Sequence, residues 1–165
     1  NASIFSHTQG WAVIAETLMG NGSQAYKYLR AFMPAAYNTK AEVRQIEPYV
    51  NCQFTHSTYS PRFGASRLPW LTGAATWGYY SATAYIIGIQ PDYEGLRIDP
   101  CIPSDWKGFK AKRRFRGNWF NIEVKNPKGV EKGVEKILIN DTEIDGNFIP
   151  VSAMKNQNDV VVIME

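Results

Sequence analysis

Gly88-Ile89-Gln90-Pro91-Asp92-Tyr93-Glu94 is the stretch on which the fold turns. Before it, apolar residues recur at helical spacing; after it, they come in short alternating runs separated by turn residues. Working upstream, Gly73–Ile87 predicts a helix whose face carries Trp77, Tyr80, Ala84 and Ile87 and which stops at Gly88. Gly78, Ser81 and Ala82 are small enough for close helix contact. Gln9–Met19 predicts another helix, with Trp11, Ala12, Ile14, Ala15, Leu18 and Met19 as its apolar face. Gly20-Asn21-Gly22 ends it. Ser23 is the expected N-cap of a further helix over Gln24–Phe32, closed by Pro34. Residues 35–71 are punctuated by Pro48, Pro61, Gly64 and Pro69 and read as a functional loop or a set of short elements.

Working downstream, Leu96–Ile98, Phe115–Val124, Lys136–Ile139 and Val160–Met164 read as strands. Asp99-Pro100, Pro103-Ser104, Asn126–Gly129, Asn140-Asp141 and Asp145-Gly146 separate them as turns. The expected organisation is a helical portion over residues 1–90 and a small antiparallel β domain over 91–165. The chain opens on Asn1, inside patterned sequence, which predicts a piece of a longer polypeptide.

Aromatic residues make up 13% of the chain, enough to build a core at this length and also able to stack on sugar rings. The net charge of +3 selects no partner. Lys107–Arg116 (KGFKAKRRFR) is a basic run, but Phe109 and Phe115 interleave it, so it reads as the solvated face of a strand rather than a nucleic-acid contact. Cys52 and Cys101 show no zinc-ligand spacing, and no metal is expected. No signal peptide or apolar run of membrane length is present in the 165 residues, and the expectation is a reduced, cytoplasmic protein.

Few residues offer chemistry. His7 lies just before the first helix and His56 in the central loop; each is a structural imidazole or a donor to an anion. Thr72-Gly73 precedes a helix, as a plain cap or as an anion seat made of a hydroxyl and free backbone N–H groups. Glu16, Glu42 and Glu47 are the acids of the helical half, and no spacing pairs them as a glycosidase would require. Glu47 is placed at a helix start. No G-x-S-x-G, phosphate-binding glycine loop or dinucleotide fingerprint appears.

Taken together, Ile4–Trp11 (IFSHTQGW), Ile46–Val50 (IEPYV), Trp70–Gly73 (WLTG), Gly88–Pro103 (GIQPDYEGLRIDPCIP), Arg113–Gly117 and Val124–Pro127 resemble the end of an inverting disaccharide phosphorylase. The family includes the cellobiose, cellodextrin and chitobiose enzymes. Gln45–Tyr49, Cys52-Gln53 and Ser57–Arg62 look most like the cellobiose branch. The resemblance implies the last helices of an (α/α)6 barrel followed by a small antiparallel β domain. It implies reversible phosphorolysis, in which phosphate displaces the aglycone with inversion and an acid protonates the leaving oxygen. His7, Thr72 and Gly73 match the family's phosphate site, and Gln53 matches a glutamine near the reacting sugar. Glu47 and Tyr49 match a motif without a role.

The resemblance places the catalytic aspartate upstream of this chain, and no aspartate precedes Asp92 here. The chain alone is therefore expected to be inactive and to expose apolar helix faces unless the remainder of the enzyme accompanies it. Cellobiose or a related β-linked sugar and inorganic phosphate are the implied substrates, with a homodimer, no cofactor, no nucleic acid and no membrane. A cellodextrin or chitobiose enzyme is the alternative, and a non-catalytic carbohydrate-binding fragment the other.

Overall fold

Small residues, not large ones, decide how the helices meet in the computed structural model, which describes residues 3–165. Helix α1 (Ser6–Leu18) buries Ser6, Gly10, Val13 and Thr17. The face expected from hydropathy is not the buried one: Trp11, Leu18 and Met19 stand exposed. A neighbouring helix close to the backbone requires small side chains between the two, and that displaces the apolar stripe outward. Gly20, with φ +84°, carries the chain into α2 (Gly22–Phe32), which packs on α1 through Ala25 and Leu29. Ser23 is not the cap expected of it. Asn21 occupies that position, and the Ser23 hydroxyl bonds the Glu131 carboxylate at 2.5 Å instead.

The central segment carries short elements. A 3₁₀ turn (Pro34–Lys40) leads into α3 (Ala41–Arg44), which ends where Gln45 adopts left-handed backbone. Strands β1 (Ser3–Phe5), β2 (Cys52–His56) and β3 (Ser66–Pro69) form an antiparallel sheet in that order. The local sequence did not announce β1, since three residues give no alternation to read. Helix α4 (Ala74–Tyr80) continues as a π-helical turn through Ile86 and stops at Gly88, with φ +73°. A Cβ on Gly88 would lie 2.2 Å from the Asp99 carbonyl oxygen, so glycine is required by both backbone and space.

From Ile89 the chain is built of strands. β4 (Ile89–Pro91), β5 (Gly95–Ile98) and β10 (Phe148–Pro150) make a three-stranded antiparallel sheet. β6 (Gly108–Phe115), β7 (Asn118–Lys125), β8 (Lys136–Ile139), β9 (Thr142–Ile144) and β11 (Gln157–Ile163) form a five-stranded sheet in the order β6-β7-β11-β8-β9. The expected strand over Phe115–Val124 is interrupted at its start: Arg116 and Gly117, at φ +48° and +84°, turn the chain between β6 and β7, which pair as a hairpin, and the strand itself is β7. The basic run is β6. Lys110, Lys112 and Arg114 face solvent, while Phe109, Ala111 and Phe115 pack on the core. The sheet departs from an all-antiparallel unit at one place, where β11 enters its middle parallel to β7 and antiparallel to β8.

A single apolar cluster joins the two kinds of structure. Val13, Leu29 and Ile86 from the helices belong to it with Leu96, Ile98, Phe120, Ile137 and Val162 from the strands and Ile102 from the connection between β5 and β6. Polar bonds reinforce the junction: Cys101 N–H donates to the Ile86 carbonyl, and Lys132 donates to the Thr17 carbonyl and pairs with Asp99. The described residues contain four α-helices, and the barrel they were expected to complete is not visible in them. Among the described residues no helix is long and apolar enough to cross a membrane.

Candidate functional site

The place where α1 begins and the place where α4 begins lie together. Gly10, one turn into α1, faces Trp77, one turn into α4; a Cβ there would stand 2.8 Å from the Trp77 Cβ. That close crossing brings His7 to Gly73 across 66 positions of sequence, and the Gly73 N–H donates to His7 Nε2 at 2.5 Å. An Nε2 that accepts here leaves the ring proton on Nδ1. Phe5 packs edge-on against the same ring at 4.7 Å. The Thr72 hydroxyl oxygen accepts from the Ala74 N–H at 3.1 Å, so Thr72 closes the first turn of α4 although Gly73 occupies the cap position.

Three of the four residues singled out from sequence therefore meet: His7, Thr72 and Gly73. They are turned on one another. For His7 to hold an oxyanion, Nε2 must change from acceptor to donor, by gaining a proton or moving the one on Nδ1, and this frees the Gly73 N–H for the same anion. Gln53 lies half-buried on β2 and has no direct bond to that trio. Its neighbour Cys52 contacts Ser6, the residue before His7, at 3.7 Å. His56 belongs elsewhere, with Nδ1 3.1 Å from the Ser60 hydroxyl.

The acids do not form a pair. Glu16 accepts from the Asn21 amide, and Asp99 is held by Lys132. Glu47 is not at a helix start. It lies in the turns after α3, and its carboxylate accepts from the Trp70 indole N–H at 3.2 Å. The Glu47 backbone N–H and that indole hold its carboxyl below the usual glutamate value. Sequence reading missed the Glu47–Trp70 contact. The only local signal was Pro48 and Pro69 marking both partners as loop residues.

Beside the trio lies a cavity of about 320 Å³, lined among others by Gln9, Lys40, Arg44, Cys52, His56 and Phe63. Several of its polar groups are already engaged: Thr55 with Ser66 at 3.0 Å and with Cys52 at 3.5 Å, and Arg44 with the nearby Val50 carbonyl at 2.8 Å.

Residues 1–88 match the catalytic domain of the glycosyl hydrolase 94 superfamily, and residues 89–137 match the C-terminal domain of glycosyl hydrolase family 65. The chain is 43% identical over 164 residues to N,N'-diacetylchitobiose phosphorylase of Vibrio proteolyticus, covering 99% of the chain and 20% of that protein. It is 38% identical over 164 residues to the protein of the same name from Vibrio furnissii, with the same 99% and 20% coverage. It is 28% identical over 151 residues to solabiose phosphorylase of Paenibacillus borealis, covering 92% of the chain and 20% of that protein. The chain thus spans about a fifth of the length of these relatives. Their names do not single out cellobiose.

Proposed function

Because the chain belongs to the glycosyl hydrolase 94 superfamily, we propose that it is part of an inverting disaccharide phosphorylase to which it supplies the phosphate seat. The observation that carries this reading is the meeting of His7 and Gly73, with Thr72 beside them, at the start of α4. A donor side chain, a hydroxyl and a backbone N–H at a helix start are the groups an oxyanion takes. Gln53, on the strand next to Ser6, is assigned to the reacting sugar.

In this reading phosphate attacks the anomeric carbon, the glycosidic C–O bond breaks and the leaving oxygen takes a proton from an acid. The products are an α-sugar 1-phosphate and a free sugar. Phosphate is already an anion, so neither a general base nor a metal is required of the chain. Its task is to hold the nucleophile in line with the breaking bond. The acid belongs to the remainder of the polypeptide, and with it the barrel that α1, α2 and α4 help to close. The exposed stripe of Trp11, Ala15 and Leu18 on α1 supports such a neighbour.

For the sugar, the reading places N,N'-diacetylchitobiose first, on the names of the relatives at 43% and 38% identity. Cellobiose is second, on the likeness of Gln45–Tyr49, Cys52-Gln53 and Ser57–Arg62 to the cellobiose branch. The experiment is phosphate-dependent release of sugar 1-phosphate by the full-length protein, offered each sugar in turn. Release from N,N'-diacetylchitobiose alone is expected. His7→Ala or Thr72→Ala should raise the phosphate KM by roughly 30- to 150-fold, the equivalent of about 2–3 kcal/mol for a lost charge-assisted bond. Unchanged phosphate kinetics in both variants would remove the assignment, and sugar binding indifferent to phosphate would leave a carbohydrate-binding fragment.

A further inference from the structure

Two loops meet beside the Thr72–Gly73 turn, and they are joined by residues to which the reaction scheme gives no task. Glu47 accepts from the Trp70 indole N–H at 3.2 Å, and Arg67 donates to the Gln45 amide oxygen at 3.1 Å. The Trp70 backbone N–H reaches the Asn51 carbonyl at 3.3 Å. Gln45 and Tyr49 in the loop after α3, Leu68 near the end of β3 and Trp70 just after it all stand in left-handed backbone, at φ between +52° and +68°. That conformation is disfavoured for residues with a Cβ and persists where surrounding bonds enforce it.

The enforced segment leads straight into the seat. Leu71 N–H donates to the Pro69 carbonyl at 2.8 Å and Thr72 N–H to the Trp70 carbonyl at 3.0 Å, two tight turns in succession. Wherever the Trp70 backbone is held, the Thr72 hydroxyl and the Gly73 N–H follow. Yet Trp70 is 70% exposed and packs in no core, so burial does not hold it there. Two bonds do, one from its backbone N–H to the Asn51 carbonyl and one from its indole to Glu47, and only the second depends on the side chain.

We propose that Glu47 is a positioning residue for the phosphate seat: by clasping the Trp70 indole it fixes the Pro69–Gly73 turn in the geometry that presents Thr72 and Gly73 to the anion. The inference rests on the reading of His7, Thr72 and Gly73 as that seat. It assigns a task to the Glu-Pro-Tyr motif and explains why a tryptophan stands in strained backbone four residues before the first residue of α4.

The test is calorimetric titration of the full-length protein with inorganic phosphate, alongside thermal melting of the same samples. Glu47→Ala and Trp70→Phe should each weaken phosphate binding about three- to tenfold, the range for one lost hydrogen bond. Glu47→Gln keeps an acceptor oxygen and should recover most of the affinity, an outcome that a contribution from the charge itself does not produce. The double variant should be no weaker than either single one, because the two residues act through one bond. His7→Ala separates the two readings. If it weakens phosphate binding while Glu47→Ala and Trp70→Phe do not, the clasp is overturned and the seat stands. If none of the three changes the titration, both fall. Should Glu47→Ala fail to fold, Trp70→Phe carries the comparison, and a melting loss without a change in phosphate affinity overturns the proposal.

Discussion

Cys52 and Cys101 are both free and buried, yet their surroundings set them apart. Burial pushes the Cys101 thiol up to about 11. Burial pushes Cys52 up as well, but hydrogen bonds with Thr55, Ser66 and Ser6 and the Arg44 charge outweigh it and leave the thiol below its ordinary value. The thiolate is the nucleophile, so at pH 8 a small alkylating reagent should label Cys52 before Cys101. Mass mapping after a timed pulse reads the order, and labelling of Cys101 first would contradict it. Nothing in the sequence separated these cysteines, because apart from Thr55 on the same strand the groups that lower Cys52 come from α1, α3 and β3. The same holds for His7. Its residue type marked it as a candidate, whereas its role as acceptor from Gly73 depends on a contact between the starts of two helices.

At the scale of the element, Gly10 governs the site without touching a ligand. A Cβ at Gly10 would meet the Trp77 side chain and backbone, so α1 and α4 must separate to admit it. Gly10→Ala should destabilise the protein by about 1–3 kcal/mol, as overpacking does, and should also draw His7 away from Gly73. Thermal melting reads the first effect and phosphate titration the second; a stable variant with unchanged phosphate affinity would show that the crossing does not set the seat. Helix positions were legible because their periodicity is local. The buried face of α1 was not, since hydropathy identifies the stripe that needs a partner and not which partner lies within the chain. The hairpin of β6 and β7 was half legible. Its alternation was visible on both sides, but Arg116 at φ +48° does not resemble the usual residues of a tight turn.

At the scale of the molecule, the helix-to-strand change at Gly88 was plain in sequence, but the continuity of the core across it was not. Gly22 shows how closely the two parts fit: a Cβ there would lie 2.2 Å from the Ile102 carbonyl oxygen. Glu131 reaches back to Ser23, and Tyr26 packs edge-on against Trp106 at 5.0 Å. The expected outcome of calorimetry on the 165-residue chain is one cooperative transition, with Gly22→Ala lowering the whole of it. Two separate transitions, only one of them moved by the substitution, would show that helices and strands melt independently.

The place of β11 also bears on how the protein is made. Among the described residues it is the last strand of its sheet in chain order and the central one in space, between β7 and β8. On the ribosome, the hairpins β6-β7 and β8-β9 emerge first, each with an open edge that only β11 closes. Folding of this sheet therefore waits for translation to pass Ile163, and nascent chains stalled before it should present two unpaired edges to chaperones and to one another.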